Sequence, residues 1–186
     1  MTAVDDRMKI ATFENLEVPE GWRAELLRGE IVMMSAPGKV HNTNVFFVQR
    51  QISSDRWYPL QTQDIAIPGE ASEPIPDLVV VGPEEVEDSS RIIPAPAVAL
   101  VMEVVSKSSV HRDYVIKPSI YAAGRVPAYL IVDPIKSSCV LLTGPMGVGE
   151  EASYRTRNTY KFGESLPIEA LDLILETSML RSLPSN

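Results

Sequence analysis

"PIPDLVVVG" (residues 74–82) sets an aspartate at the mouth of a strand-like apolar run, and "ALVMEVVSKSS" (99–109) places a glutamate inside another. A sheet interior favours valine at both places, so Asp77 and Glu103 decide how the chain is read. "DLVVVG" (77–82) is a short, continuous β-branched run of the kind buried on both faces. "VALVMEVV" (98–105) and "AYLIVDP" (128–134) are two more. Side chains alternate along a strand, so Leu100, Met102 and Val104 share one face while Val101, Glu103 and Val105 share the other. Hydrocarbon flanks Glu103 whichever way the strand turns. An unpaired ionised carboxylate there costs on the order of several kcal/mol, so something must compensate it.

The flanking sequence predicts how these strands are joined. "DYVIKPSIYAAG" (113–124) has helical character and a C-cap glycine at Gly124. Lying between two strand runs, it predicts a right-handed strand–helix–strand crossover. "SSCVLLTG" predicts an antiparallel neighbour and "ASYRTRNTYKFG" an exposed edge strand. Upstream, residues 12–30 predict a short helix and a turn at Pro19-Glu20-Gly21. "GEIVMMSA" (29–36) predicts a strand, "VHNTNVFFVQRQISSDRW" (40–57) a helix, and "QTQDIAIPG" a weak strand. Residues 84–96 form an acidic, proline-rich connection, and "PIEALDLILETSML" predicts a strand end followed by a short helix. The expected fold is α/β with a mixed β-sheet flanked by helices, and residues 1–186 are expected to form a single domain.

Composition narrows the function. The 186 residues are 45% hydrophobic and 23% charged, as in a globular chain with a full core. One cysteine, Cys139, excludes an internal disulfide and a thiolate metal cluster, and points to a reducing cytoplasm. "MTAVDDRMK" has no apolar core of a signal peptide, and no apolar run is long enough to cross a membrane. Net charge is −8, which opposes strong, indiscriminate binding to a polyanion. The distribution is uneven: residues 91–125 hold five Lys and Arg against two acidic residues, making a locally basic region.

Two readings account for the carboxylates. One is a buried salt bridge or a protonated glutamate. The other is a cation held between Asp77 and Glu103, because two buried carboxylates at corresponding points of adjacent strands repel unless a charge lies between them. Oxygen-only ligands suit Mg²⁺ or Mn²⁺, held by one or two carboxylates together with water and substrate phosphate.

"PD", then "ME" in an apolar strand, then a nearby lysine is similar to the PD-(D/E)xK nuclease pattern. More narrowly, "AELLRGEIVMMSAPGKVH", "PIPDLVVV" and "LVMEVVSKSSVHRDYVIKPSIYAAGRVPAYLIVDP", in that order, resemble the Uma2 family of endonucleases, also called DUF820. The resemblance implies a restriction-endonuclease-like core, a divalent metal at the carboxylates, and hydrolysis of DNA phosphodiester bonds. It maps Asp77 and Glu103 onto the metal-binding pair. Glu25 falls on an acidic position, as a further ligand or a residue orienting water, and His41 on a histidine of the pattern. Where the family pattern has an aromatic residue before that glutamate, this chain has Ala24.

The general pattern places lysine two residues after the glutamate, where this chain has Val105. Lys107 has the right parity but lies about 13 Å from Glu103 along an extended strand. Lys117 sits at the start of the following helix, which can fold back over the sheet, with Asp113, Lys117 and Tyr121 at i, i+4, i+8 spacing on one face. Pro118 means that the helix either starts there or is kinked there. Lys117 is therefore expected to complete a catalytic set with Asp77 and Glu103. Glu25, His41 and Lys107 are further candidates.

Other features carry less. His111 is expected to be a solvated loop residue, and Tyr121 and Tyr129 to be packing. "SKSS" (106–109) is a polar loop with hydroxyls suited to phosphate. Asp133-Pro134 ends a strand, and "GPMGVG" lacks the Lys-Ser/Thr of a P-loop. The alternative function is a catalytically inactive nuclease-fold protein serving as a nucleic-acid or protein binding module, motivated by the displaced lysine, Pro118 and the acidic surface. A third reading, acid–base hydrolysis of a sugar, predicts aromatic platforms, whereas 6% of residues are aromatic. A homodimer would bring two sites to two strands of DNA.

Overall fold

The computed structural model describes residues 3–53, 55–87 and 90–184. Parts of three sequence expectations, namely the start of "MTAVDDRMK", Ser54 in the 40–57 helix, and Asp88 and Ser89 in the acidic connection, lie outside the described residues.

The chain begins with α1 (Ala3–Glu14) and the hairpin β1 (Trp22–Leu27)–β2 (Glu30–Ser35), followed by α2 (Lys39–Gln49). Next come β3 (Tyr58–Gln61), β4 (Asp64–Ala66), β5 (Leu78–Val81) and β6 (Ile92–Pro94). The crossover follows as β7 (Val98–Val104), a π-helical turn (Arg112–Ile116), α3 (Lys117–Ala123) and β8 (Ala128–Asp133). The C-terminal part holds β9 (Ser138–Met146), β10 (Ser153–Lys161), β11 (Ser165–Ile168) and β12 (Leu173–Glu176).

Six strands form a mixed sheet in the order β10-β9-β8-β7-β5-β3. The β7–β8 pair is parallel, as a crossover requires, and its neighbours are antiparallel. The apolar runs read as doubly buried strands do occupy the middle: β5, β8 and nearly all of β7 are buried. One face, with Leu100, Met102, Leu130 and Val132, packs on Val45 and Val48 of α2 and on Leu166 and Leu175 of the last hairpin. The other face, with Val101, Val105 and Ile131, packs on Ile120 and Tyr121 of α3. β10 is the polar, largely exposed edge. Among the described residues, no helix is long and apolar enough to cross a membrane.

Two sequence expectations are corrected. The first helix ends at Glu14 rather than running on from residue 12, and "WRAELL" is a strand. Its reason is the turn that follows: Arg28 (φ 52°) and Gly29 (φ 80°) both take the left-handed conformation, as the two central residues of a tight hairpin do. The hairpin is then tied to residue 73 by two backbone bonds between Leu26 and Glu73. The C-terminal segment is a hairpin, with one 3₁₀ turn (Glu169–Leu171) in place of a helix. Leu166, Ile168 and Leu175 are buried, with exposed Pro167, Ile174 and Glu176 between or beside them; that period of two fits a strand.

Candidate active site

Because β5 and β7 are antiparallel with Leu78 opposite Met102, extending the register by one residue sets Asp77 opposite Glu103. Parity directs Glu103 to the α3 face of the sheet, among Val101 and Val105. Asp77 Oδ2 accepts a hydrogen bond from the Val104 amide (2.8 Å), closing the ladder where β5 begins, and lies 2.9 Å from His41 Nε2. Glu103 Oε1 accepts from Lys117 Nζ (2.7 Å) and from the Tyr121 hydroxyl (2.7 Å). Asp77 Oδ1 and Glu103 Oε2 carry no hydrogen bond among the described residues, and both side chains line one cavity of about 370 Å³.

Lys117 reaches this point through an irregularity in the helix. Pro118 has no N–H to give to residue 114, and its ring crowds that carbonyl in a regular α-helix. The preceding turn is instead π-helical, with the Lys117 amide donating to the carbonyl of Arg112, five residues back. The α-helix starts at Lys117, with the proline in its first turn. Asp113, Lys117 and Tyr121 are all buried. Lys117 Nζ bridges Glu103 Oε1 and Glu25 Oε1 (2.8 Å), while Glu25 Oε1 also accepts from the Ile75 amide (2.8 Å). Glu25 comes from β1, so a lysine from the crossover helix joins the hairpin to the sheet.

The cluster holds more negative than positive charge. Glu25, Glu103 and Asp113 surround Lys117, Asp77 acts on Glu103 and Asp113, and Glu25 Oε2 is buried without a partner among the described residues. Burial pushes the Glu103 carboxyl well above the usual range; Lys117 pulls it down, and the neighbouring carboxylates push it further up. Burial likewise raises Asp113 to about 6, against the attraction of Lys117 and the hydrogen bond from Ser109 Oγ. For Lys117, burial favours the neutral amine, but Glu103, Glu25 and Asp113 outweigh it and hold the pKa above its ordinary value. At His41, burial disfavours the imidazolium, yet the hydrogen bond and charge of Asp77 prevail and raise its pKa. The two carboxyls are thus raised chiefly by burial, and Lys117 and His41 by the carboxylates beside them.

That excess, two free carboxylate oxygens on one cavity and an all-oxygen donor set fit a hard divalent cation such as Mg²⁺ or Mn²⁺. No group of three or more His, Cys, Asp or Glu side chains is spaced to hold an ion among the described residues. The remaining coordination positions would therefore fall to water and substrate oxygens, as is usual for Mg²⁺.

The structure brings Asp77, Glu103, Lys117 and His41 onto one cavity and sets Glu25 behind Lys117, outside the cavity wall. Lys107 is exposed and does not line it. Val105, at the usual lysine position, is buried and its amide pairs with Val132. Tyr121, expected only to pack, packs edge-on against Tyr129 and also holds Glu103. The i, i+4, i+8 spacing was its signal. Asp133 does end its strand, accepting the amides of Ile135 and Lys136. Trp22, Arg23 and Arg112 also line the cavity; Arg112 belongs to the basic stretch 91–125, whereas nothing in the sequence context of Trp22 and Arg23 pointed there.

A mixed sheet whose crossover helix covers two facing carboxylates has the architecture of restriction-endonuclease-like proteins. The fold matches that of a crystal structure described as "a putative nuclease belonging to DUF820 from Anabaena variabilis ATCC 29413". That match has a TM-score of 0.72 and 13% identity, covering 92% of this chain and 96% of that one. The profile of the Uma2 family, described as "Putative restriction endonuclease", matches residues 10–178, and the chain belongs to that family. No curated protein matches the sequence.

Proposed function

We propose that this protein is a metal-dependent endonuclease that hydrolyses DNA phosphodiester bonds. The observation that carries the reading is the register of Asp77 and Glu103, which line one cavity beside Lys117, each with one oxygen free of hydrogen bonds among the described residues. Asp77 Oδ1 and Glu103 Oε2 would hold Mg²⁺ or Mn²⁺. When bound, such an ion polarises a phosphoryl oxygen and lowers the pKa of a bound water.

The chain's own residues have separable tasks. The neighbouring carboxylates raise the pKa of Lys117, which serves as a fixed cation beside Glu103. It holds Glu103 Oε1 and opposes negative charge building on the phosphate. Glu25 holds Lys117 from behind, and Tyr121 fixes the rotamer of Glu103 through Oε1, leaving Oε2 free of hydrogen bonds among the described residues. His41 sets Asp77 in the same way.

The test incubates the purified protein with supercoiled plasmid in Mg²⁺ or Mn²⁺, with and without EDTA. Expected is nicking or linearisation that EDTA and Asp77→Ala each abolish. Cleavage that persists in Asp77→Ala, or none with either metal, refutes the reading.

A further inference from the structure

The β1–β2 hairpin adds an aromatic and two thioether side chains, Trp22, Met33 and Met34, to the lining of the cavity. In the β1–β2 register Trp22 pairs with Ser35 and Ala24 with Met33, so Trp22 and Met33 are diagonal neighbours on one face of the hairpin. Both line the cavity and both are exposed, Trp22 by 49% and Met33 by 40%. A bare indole beside a thioether is a surface on which a flat ring can stack.

Two guanidinium groups line the same cavity, Arg23 from the other face of the hairpin and Arg112 from the crossover. Arg23 makes no hydrogen bond or ion pair among the described residues and lies close enough to oppose the charge on His41. Arg112 donates only to the Ser108 carbonyl, at 3.5 Å, and its Nε is buried without a partner among the described residues. Both line the same cavity as the carboxylates. Paired with the ring platform, they make a phosphate-and-base arrangement.

We infer that the site takes single-stranded or locally unpaired nucleic acid, with a base stacked on Trp22 and the flanking phosphates on Arg23 and Arg112. The inference deepens the nuclease reading and rests on it for the identity of the reacting group. Charge argues against an intact duplex. Contacts from Lys and Arg to phosphate supply most of the affinity for a duplex, the more densely charged form, whereas this protein carries −8 and its cavity offers few cations. Binding must then draw on stacking, which is open to a strand with bared bases and closed to bases paired inside a helix.

The test measures fluorescence anisotropy of labelled 12-mers in EDTA, so that no strand is cut. The probes are oligo(dT), the same length as blunt duplex, an abasic strand and oligo(U). Wild type is expected to bind the unpaired strands at least about tenfold tighter than duplex or abasic strand. Trp22→Ala should lose about tenfold on oligo(dT), with Trp22→Phe retaining most of the affinity. Arg23→Ala should lower the slope of log affinity on log salt by about 0.7, one single-strand phosphate contact. Thermal melting checks that the exposed Trp22 is replaced without unfolding. Equal affinity for duplex, or Trp22→Ala within twofold of wild type, overturns the inference, including the case in which this face docks a protein. Cleavage separates the two claims. Duplex cutting that is indifferent to Trp22→Ala sinks this inference and keeps the nuclease. Stacking-dependent binding without cleavage of any substrate keeps this inference and sinks the nuclease.

Discussion

Replacing Lys117 by methionine removes the cation and keeps most of the side-chain volume. Glu25 and Glu103 are then left buried, 0% and 4% exposed, with no ammonium between them. Breaking a buried pair in this way costs about 3–5 kcal/mol. The variant can relieve the repulsion by binding a proton, which at pH 8 costs a carboxyl about 5 kcal/mol relative to its unfolded pKa near 4.3. At pH 5.5 the same protonation costs about 1.6 kcal/mol. The folded variant thus holds one proton more than its unfolded chain above pH 4.3, and its stability falls by about 1.4 kcal/mol per pH unit as pH rises. Urea unfolding at pH 5.5 and pH 8 measures this directly. Lys117→Met should be several kcal/mol less stable than wild type at pH 8 and recover about half or more of the loss at pH 5.5. Adding Glu25→Gln should restore about 1–3 kcal/mol at pH 8 without restoring cleavage. A variant within 1 kcal/mol of wild type at pH 8, or one whose deficit does not change with pH, would show that Lys117 does not neutralise the cluster.

Three further outcomes follow from the same geometry. Asp113 is raised from 3.8 to about 6, so its ionised form costs the folded state about 3 kcal/mol. Wild type gains that stability as pH falls through 6 towards 3.8, and Asp113→Asn should be about 3 kcal/mol more stable at pH 8 and nearly equal at pH 4, read by thermal or urea unfolding. Tyr121→Phe keeps the ring contact with Tyr129 and deletes the bond to Glu103; a loss of about 1.5–3 kcal/mol is expected, with a fall in cleavage rate at unchanged DNA affinity. Leu130→Ala, on the opposite face of the sheet, should cost about 2–5 kcal/mol in unfolding yet leave Mn²⁺ affinity by calorimetry unchanged at low temperature.

The sequence by itself determined the central strands and the face on which Glu103 sits, since continuous β-branched runs and a period of two are local properties. It also carried the crossover, because strand, helix and strand follow one another in the chain. It misplaced the first helix and made a helix of the last hairpin, both at segments whose pairing partners lie elsewhere in the chain. Only the tertiary structure decided where Lys117 goes. Pro118 left two helix geometries open, and the π-turn that the chain adopts is accompanied by the Lys117 ammonium bonding to Glu103 and Glu25, 14 and 92 residues away. The same holds for His41 against Asp77 and for Trp22 and Arg23 at the cavity. Charge pairing in a low-dielectric interior acts through space, so these contacts become legible only once the sheet, the hairpin and the helix have been brought together.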